Sequence, residues 1–445
     1  MRVAILGFGF SGAMVAANLV RAADAPLTLY IIDPEITARG VAYATENADH
    51  LLNVRAANMG AFADAADGFA QWLMTDAAKQ AQAARGIARN FSGSDFAPRA
   101  LYGDYLQSVW QQTQEIAAQK KMDIKLIPSR AVAVQAGATP AVLTERGDAI
   151  AVDRIVLAVG HEVRPIWPQL PASSIIQNPW AAGALDGAAQ WAAPVMLVGT
   201  GLTAVDMVLT LRKAGYAGEI LAGSRHGWLP QAHAVPSAIF SCAAEEMAAQ
   251  KTLRQWVQWL RNSLRHVGEW RVVIDALRPH TQRIWQSLAT PDQQRFLTKL
   301  LPFWNVHRHR MAPDIAARIQ AEIAAGTLRI LSTKRMTVIA TEGGQIVVNT
   351  ASQRYTPSRI LNCTGPELNI ARSANPLLRQ LLADGLVEPH VNGLGITADT
   401  QLRAWGRLHP NLYAMGALLT GQLLESTAVP ELRAQAAMIA HAIVK

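Results

Sequence analysis

Gly7, Gly9 and Gly12 stand at GxGxxG spacing, directly after the apolar run Val3-Ala4-Ile5-Leu6 and directly before an Ala/Val-rich helical stretch from Ala13 to Ala22. Glycines so placed let a strand turn tightly into a helix, admit a pyrophosphate close to the backbone and seat the helix on its sheet, while the helix start offers unpaired N–H groups. In this reading Gly7 makes the turn, Gly9 the close approach and Gly12 the packing, with Phe10 and Ser11 completing the loop. The chain turns strand-like again from Leu27 to Ile32 and ends on Asp33, 21 residues after Gly12, where a carboxylate can accept ribose hydroxyls. Residues 3 to 20 are uncharged, as in a signal peptide or a membrane span. The glycines would break such a helix near its middle, and no small-residue cleavage site leads to a plausible mature start.

A second fingerprint lies mid-chain. Pro194 to Val198 reads as a buried strand, and Gly199, Gly201, Thr203 and Ala204 form GxGxxA ahead of a helical stretch from Val205 to Ala214. The following strand, Glu219 to Ala222, runs out at Gly223-Ser224-Arg225, with no acid in the place that Asp33 holds in the first unit. An acid there would repel a 2′-phosphate, whereas Arg225 can pair with it. The first site therefore reads as an FAD site and the second as an NADPH site. Two more apolar strands close on glycine, at Ile155 to Gly160 and at Ile360 to Gly365, the latter with Thr364 in its turn. Strands of this kind carry the chain between two dinucleotide domains. In the tail, Asn411 to Gly416 is a strand ending in glycine, and the stretch around Thr427 opens a last helix with Pro430 in its first turn. Aimed at a flavin, that helix start would stabilise negative charge on the ring.

These pieces predict an α/β chain with two Rossmann-like dinucleotide-binding domains, the FAD domain discontinuous and the NAD(P)H domain inserted into it. Residues 1–165 and 356–445 are assigned to the FAD domain, and 166–235 and 321–355 to the NAD(P)H domain. Residues 236–320, rich in Trp, Arg, Gln and Leu with helical periodicity, form a helical insert whose tryptophans are read as core. Strands at Leu328 to Leu331 and Gln345 to Val348 are expected to return the chain to the NAD(P)H domain. Forty-one Lys plus Arg against 33 Asp plus Glu leave a net charge of +8 without a basic run, which suits anionic small molecules and gives no nucleic-acid arm. Two distant cysteines exclude a disulfide framework, and no later uncharged stretch spans a membrane, so a soluble cytoplasmic protein is expected.

With GFGFSG at 7–12, GVAYAT at 40–45, HLLNVRAANMG at 50–60, PRALYGDYL at 98–106, VGTGLTAVD at 198–206, SRHGWLP at 224–230, FWNVHRHRMAP at 303–313 and LLESTAVPELR at 423–433, the chain resembles bacterial FAD/NAD(P)-binding oxidoreductases. These are related to class B flavin monooxygenases and the amine N-hydroxylases. The resemblance implies reduction of FAD by NADPH, addition of O₂ at flavin C4a and hydroxylation of a small substrate, possibly at nitrogen. It also implies that the segment after the second strand runs along the flavin, which makes Asn53 and Met59 lining candidates. Three departures stand out: no FxGxxxHxxxW run precedes the second glycine loop, Ala417 replaces an acid after the tail glycine, and no redox cysteine pair is present.

Few side chains carry chemistry of their own. Arg55, Arg308 and Arg310 are candidates for binding a substrate carboxylate or a cofactor phosphate, with a surface ion pair or a domain joint as the structural alternative. His307 and His309, two apart, would share one face of a strand, but no carboxylate or cysteine cluster completes a metal site. His161, Arg99 and Tyr102 enter as motif members only. The rival functions are an FAD-dependent dehydrogenase or reductase with an acceptor other than oxygen, and a non-catalytic dinucleotide sensor.

Overall fold

The computed structural model describes every residue except 236, 335, 341–344 and 352. Two five-stranded parallel sheets organise the chain. The first runs in the order Leu412–Ala414, Arg154–Leu157, Arg2–Leu6, Thr28–Ile32 and Asp123–Ile127. Its central strand is buried on both faces, as a parallel sheet covered by helices requires. On it, helix Phe10–Ala22 packs between the C-terminal helix Val429–Val444 and helix Arg99–Gln119. The second sheet runs Leu328–Ser332, Ile220–Ser224, Val195–Val198, Arg359–Asn362 and Ile175–Ile176. Each sheet takes a strand from late in the chain. The crossings between them are tied by an antiparallel ribbon of Glu162–Val163 with Pro366–Glu367.

Both strands expected after the insert are present. Leu328–Ser332 extends the second sheet, but Ile346–Asn349 is the middle strand of a separate antiparallel sheet with Thr337–Ala340 and Arg354–Tyr355. The first strand follows a crossover helix, Pro313–Ala324, and can pair parallel. Only five residues separate Ala340 from Ile346, too few for a parallel crossover, and the two strands pair antiparallel. The alternation His307-Arg308-His309 mimics a strand, yet Leu301–Arg308 is a helix, continuous with the π-helical turn Phe296–Leu300 and with Pro302 in its first turn. His307 and His309 therefore do not share a face.

Between the strand Ile220–Ser224 and its crossover helix, residues 244–308 form a series of helices separated by short breaks. Thr252 and Gln255 form a reciprocal capping box on helix Leu253–Val267, which ends on Gly268 in the left-handed region. Trp256, Trp259 and Trp285 are buried with Met247, Leu277 and Leu288, so these tryptophans are core. Leu424 of the tail joins that cluster, which docks the insert onto the first unit. Among the described residues no helix is long and apolar enough to cross a membrane.

Candidate dinucleotide sites and the seam between them

The two glycine loops are built alike. A Cβ on Gly7 would stand 2.3 Å from the Ala158 carbonyl oxygen, and one on Gly199 would stand 2.2 Å from that of Cys363. Each first glycine thus lies against the residue that ends a neighbouring strand, at φ +101° and +116°. Gly12 is equally forced, since its Cβ would meet the Gly7 carbonyl oxygen at 1.9 Å. The middle glycines differ. Gly9 faces the backbone of Gly40 at 3.3 Å, whereas nothing lies within 4 Å of a Cβ on Gly201. Both following helices, Phe10–Ala22 and Leu202–Lys213, start on a glycine without a side-chain cap, which leaves their first N–H groups for an anion.

The strand ends after these loops also correspond. Asp33 accepts from Phe8 N–H at 2.6 Å and from Glu35 N–H at 2.7 Å, so its carboxylate shapes the first loop as well as facing it. Ser224 does this in the second unit, accepting from Thr200 Oγ1 at 2.9 Å and from Gly227 N–H at 3.1 Å. Arg225 beside it is exposed, with no carboxylate in ion-pair reach among the described residues. Thr203 is half-buried on the helix start and Ala204 is packed inside it. Gly160 and Gly365 leave their strands at φ +72° and +89° into open space, and Thr364 donates to Asn362 Oδ1 at 2.7 Å.

The tail closes over the first loop. Gly416, at φ +67°, would bring a Cβ to 3.7 Å from Ser11 Oγ, and its N–H donates to Gln435 Oε1 at 2.8 Å. Thr427 is exposed just ahead of the C-terminal helix, which starts without a side-chain cap. Ser11, Gly416 and the helix starts therefore stand together as the residue types for a bound dinucleotide require. Gly201 leaves open, in the second unit, the volume that a side chain would fill. The residues present fit FAD in the first unit and NAD(P)H in the second.

The other candidates are placed as follows. Met59 is buried in the first core. Tyr102 is also buried, its hydroxyl without a hydrogen-bond partner among the described residues. Arg308 and Arg310 are buried and each meets a carboxylate: Arg308 Nε stands 2.9 Å from the buried Glu425 Oε2, and Arg310 pairs with Asp275, whose side chain is exposed. Arg55 donates to the Ser94 carbonyl and lies 5.1 Å from the Phe96 ring centroid. The Asn53 carbonyl accepts from His233 Nε2 at 3.0 Å, which ties the first unit to the loop before the insert. Burial, with the Arg310 charge beside it, holds the His233 pKa down to about 4, so this imidazole is neutral.

Sequence reasoning missed His50, Asp206, Asp275 and Glu425. Glu425 accepts from Trp304 Nε1 at 2.6 Å as well as from Arg308, although its partners lie over 110 residues away. Motif membership in LLESTAVPELR was its only signal. A cavity of about 580 Å³ lies between the loop Gly227–Ala232 and the insert, with walls from Trp228, Arg271, Phe303, His307 and Met311. Among the described residues no group of three or more His, Cys, Asp or Glu could hold a metal.

Residues 4–162 match a family of FAD-NAD(P)-binding domains. No curated protein matches the chain. Among solved structures it is similar to an ornithine N-hydroxylase from Kutzneria sp. 744, at 14% identity and TM-score 0.63, covering 99% of this chain and 98% of that one. It is also similar to the FAD-bound cadaverine monooxygenase of Erwinia amylovora, at 10% identity and TM-score 0.58, covering 98% and 92%. The bacillithiol disulfide reductase of Staphylococcus aureus aligns at 10% identity and TM-score 0.54, over 100% and 98%. The whole chain therefore has the two-domain fold of FAD/NAD(P)-binding oxidoreductases.

Proposed function

We propose that this FAD/NAD(P)-binding oxidoreductase is an NADPH-using monooxygenase that hydroxylates a small amine at nitrogen. The net reaction is amine plus O₂, NADPH and a proton giving hydroxylamine, NADP⁺ and water. The observation that carries the reading is the whole-length likeness to amine hydroxylases, insert included, in a chain whose two cysteines are far apart in sequence and form no CxxC motif. Cys363 is buried behind the second glycine loop, with its pKa pushed far up by burial, and Cys242 lies at the start of the insert.

FAD supplies the redox and oxygen chemistry when bound. What the chain contributes is placement. The N–H groups at Phe10, Ser11 and Gly12 receive the flavin nucleotide's phosphates, and those at the start of Leu202–Lys213 receive the nicotinamide nucleotide's. Arg225 binds the 2′-phosphate. The insert, held to the tail through Glu425 and to Asn53 through the His233 loop, walls the cleft between the units and keeps bulk water from the reacting centre.

The test is anaerobic reduction of the FAD-loaded protein by NADPH and by NADH, then re-aeration with candidate amines while hydroxylamine and peroxide are measured. NADPH-selective reduction with hydroxylamine formed at the expense of peroxide is the expected result. Reduction with quantitative peroxide release under every amine would point to a dehydrogenase, and no reduction by either nucleotide would refute the oxidoreductase assignment of the second site. Arg225→Ala should raise the KM for NADPH far more than that for NADH, and equal effects would remove the 2′-phosphate role.

A further inference from the structure

Three of the segments that carry the family resemblance lie far apart in sequence but meet at one buried point between the two dinucleotide units. Arg99, in PRALYGDYL, opens helix Arg99–Gln119 of the first unit, and Asp206, in VGTGLTAVD, lies in the second turn of the helix that follows the second glycine loop. Arg99 Nη1 stands 2.9 Å from Asp206 Oδ2, with the two side chains 15% and 7% exposed. Arg99 Nε also donates to the Leu51 carbonyl at 3.2 Å.

His50, in HLLNVRAANMG, completes the group and is 3% exposed. Its Nε2 is 2.8 Å from Thr210 Oγ1 and 3.3 Å from the Asp206 carbonyl oxygen, and its Nδ1 is 2.8 Å from Thr45 Oγ1. The Arg99 N–H donates to the His50 carbonyl at 2.8 Å, so the two first-unit members are locked to each other before they reach across. Burial lowers the His50 pKa, and because Thr210 Oγ1 already donates to the Asp206 carbonyl at 2.9 Å, that hydroxyl oxygen is assigned to accept from Nε2–H of the ring.

We infer that Arg99, His50, Asp206 and Thr210 form a positioning device that holds the second glycine helix at one fixed orientation to the first unit. Domain interfaces within a chain allow relative motion unless something specific opposes it. A buried ion pair is a poor source of net stability compared with apolar packing of similar volume, but it tolerates only one geometry. Here it bears on the helix that starts at Gly201, so any slip moves the nicotinamide dinucleotide relative to the flavin. Electron transfer in this protein then proceeds without rotation of one domain against the other. The inference rests on the oxidoreductase reading for its functional consequence, and its geometric content stands apart from it.

The informative variant is the double substitution Arg99→Met with Asp206→Leu, which removes both charges and leaves no buried ion unpaired; His50→Gln with Thr210→Val is a second, in case the first does not fold. Spin labels on Asp76→Cys and Ala325→Cys, exposed positions in the two units, placed in a Cys242→Ser background, report the distance distribution between units. The expected result is one narrow distribution for the parent, broadened in the double variant. NADPH-driven flavin reduction should slow by on the order of 10- to 100-fold, while dithionite reduction, FAD content and NADPH affinity stay at parent values. An unchanged distance distribution in the folded variants overturns the inference, as does an unchanged rate of reduction by NADPH. A parent that NADPH fails to reduce would instead refute the functional reading, and the distance measurement would still decide the device.

Discussion

Removing Arg308 should loosen the tail that covers the first glycine loop. Its guanidinium and the Glu425 carboxylate are 8% and 5% exposed, so water screens the pair hardly at all. In Arg308→Met the carboxylate keeps Trp304 Nε1 at 2.6 Å but loses its countercharge. An uncompensated buried charge of this kind costs about 3–5 kcal/mol. Glu425 also sits at φ +64°, a left-handed conformation that costs a non-glycine residue about 1–3 kcal/mol, so the turn depends on its contacts to persist. A chain of several units does not unfold in two states, so the suitable assay is native-state hydrogen exchange. The reporters are the Gly421 and Leu423 amides, which donate to the Leu394 and Leu419 carbonyls at 3.0 and 2.7 Å. At about 1.4 kcal/mol per tenfold, their protection should fall by about two to four orders of magnitude. The double variant Arg308→Met with Glu425→Met should recover much of that loss, because no charge is left buried. A fall of less than about fivefold in Arg308→Met, the scale of an exposed ion pair worth under about 1 kcal/mol, would refute the reasoning.

Other expectations follow from the same geometry. Gly201→Ala meets no atom of the described residues within 4 Å and should leave the melting temperature unchanged while raising the KM for NADPH about 10- to 150-fold, as loss of one charge-assisted hydrogen bond of about 1.5–3 kcal/mol would. Gly199→Ala drives a methyl to 2.2 Å from the Cys363 carbonyl oxygen at φ +116°, so it should lower the melting temperature or prevent folding. The two variants compared in one calorimetric series check both statements. His233 has its pKa lowered from 6.5 to about 4 on folding, so the unfolded chain binds the extra proton between those values. Its contribution to stability is complete above about pH 6.5 and is lost as the pH falls toward 4. Exchange protection of the His233 loop measured across that window should decline with falling pH, and His233→Gln should flatten the decline.

Local sequence was enough for every feature built from near neighbours. The glycine spacings specify two strand-turn-helix units because Gly7, Gly12 and Gly199 occupy positions where a Cβ collides with a carbonyl a few residues or one strand away. The positions of Asp33 and Ser224-Arg225 at the ends of their strands were legible for the same reason, since each strand runs out within a residue of them. The insert's tryptophans were legible from helical period. Where local pattern misled, as in the His-Arg alternation of 307–310, helix continuity from Phe296 and Pro302 in a first turn outweighed a two-residue repeat.

Contacts across units were decided by tertiary structure alone. The sequence showed Arg308 and Arg310 as basic residues near a joint, and only folding placed a carboxylate against each, the buried Glu425 against Arg308 and the half-exposed Asp275 against Arg310. It showed Arg99, His50 and Asp206 as members of separate motifs, and only the parallel order of two sheets, each borrowing a strand from late in the chain, brought them within 3.3 Å of one another's groups. The physical reason is that turn and helix preferences act over a few residues, whereas the pairing of buried charges is set by which surfaces the sheets bring together. Nothing in the composition near Arg99 could name a partner 107 residues away.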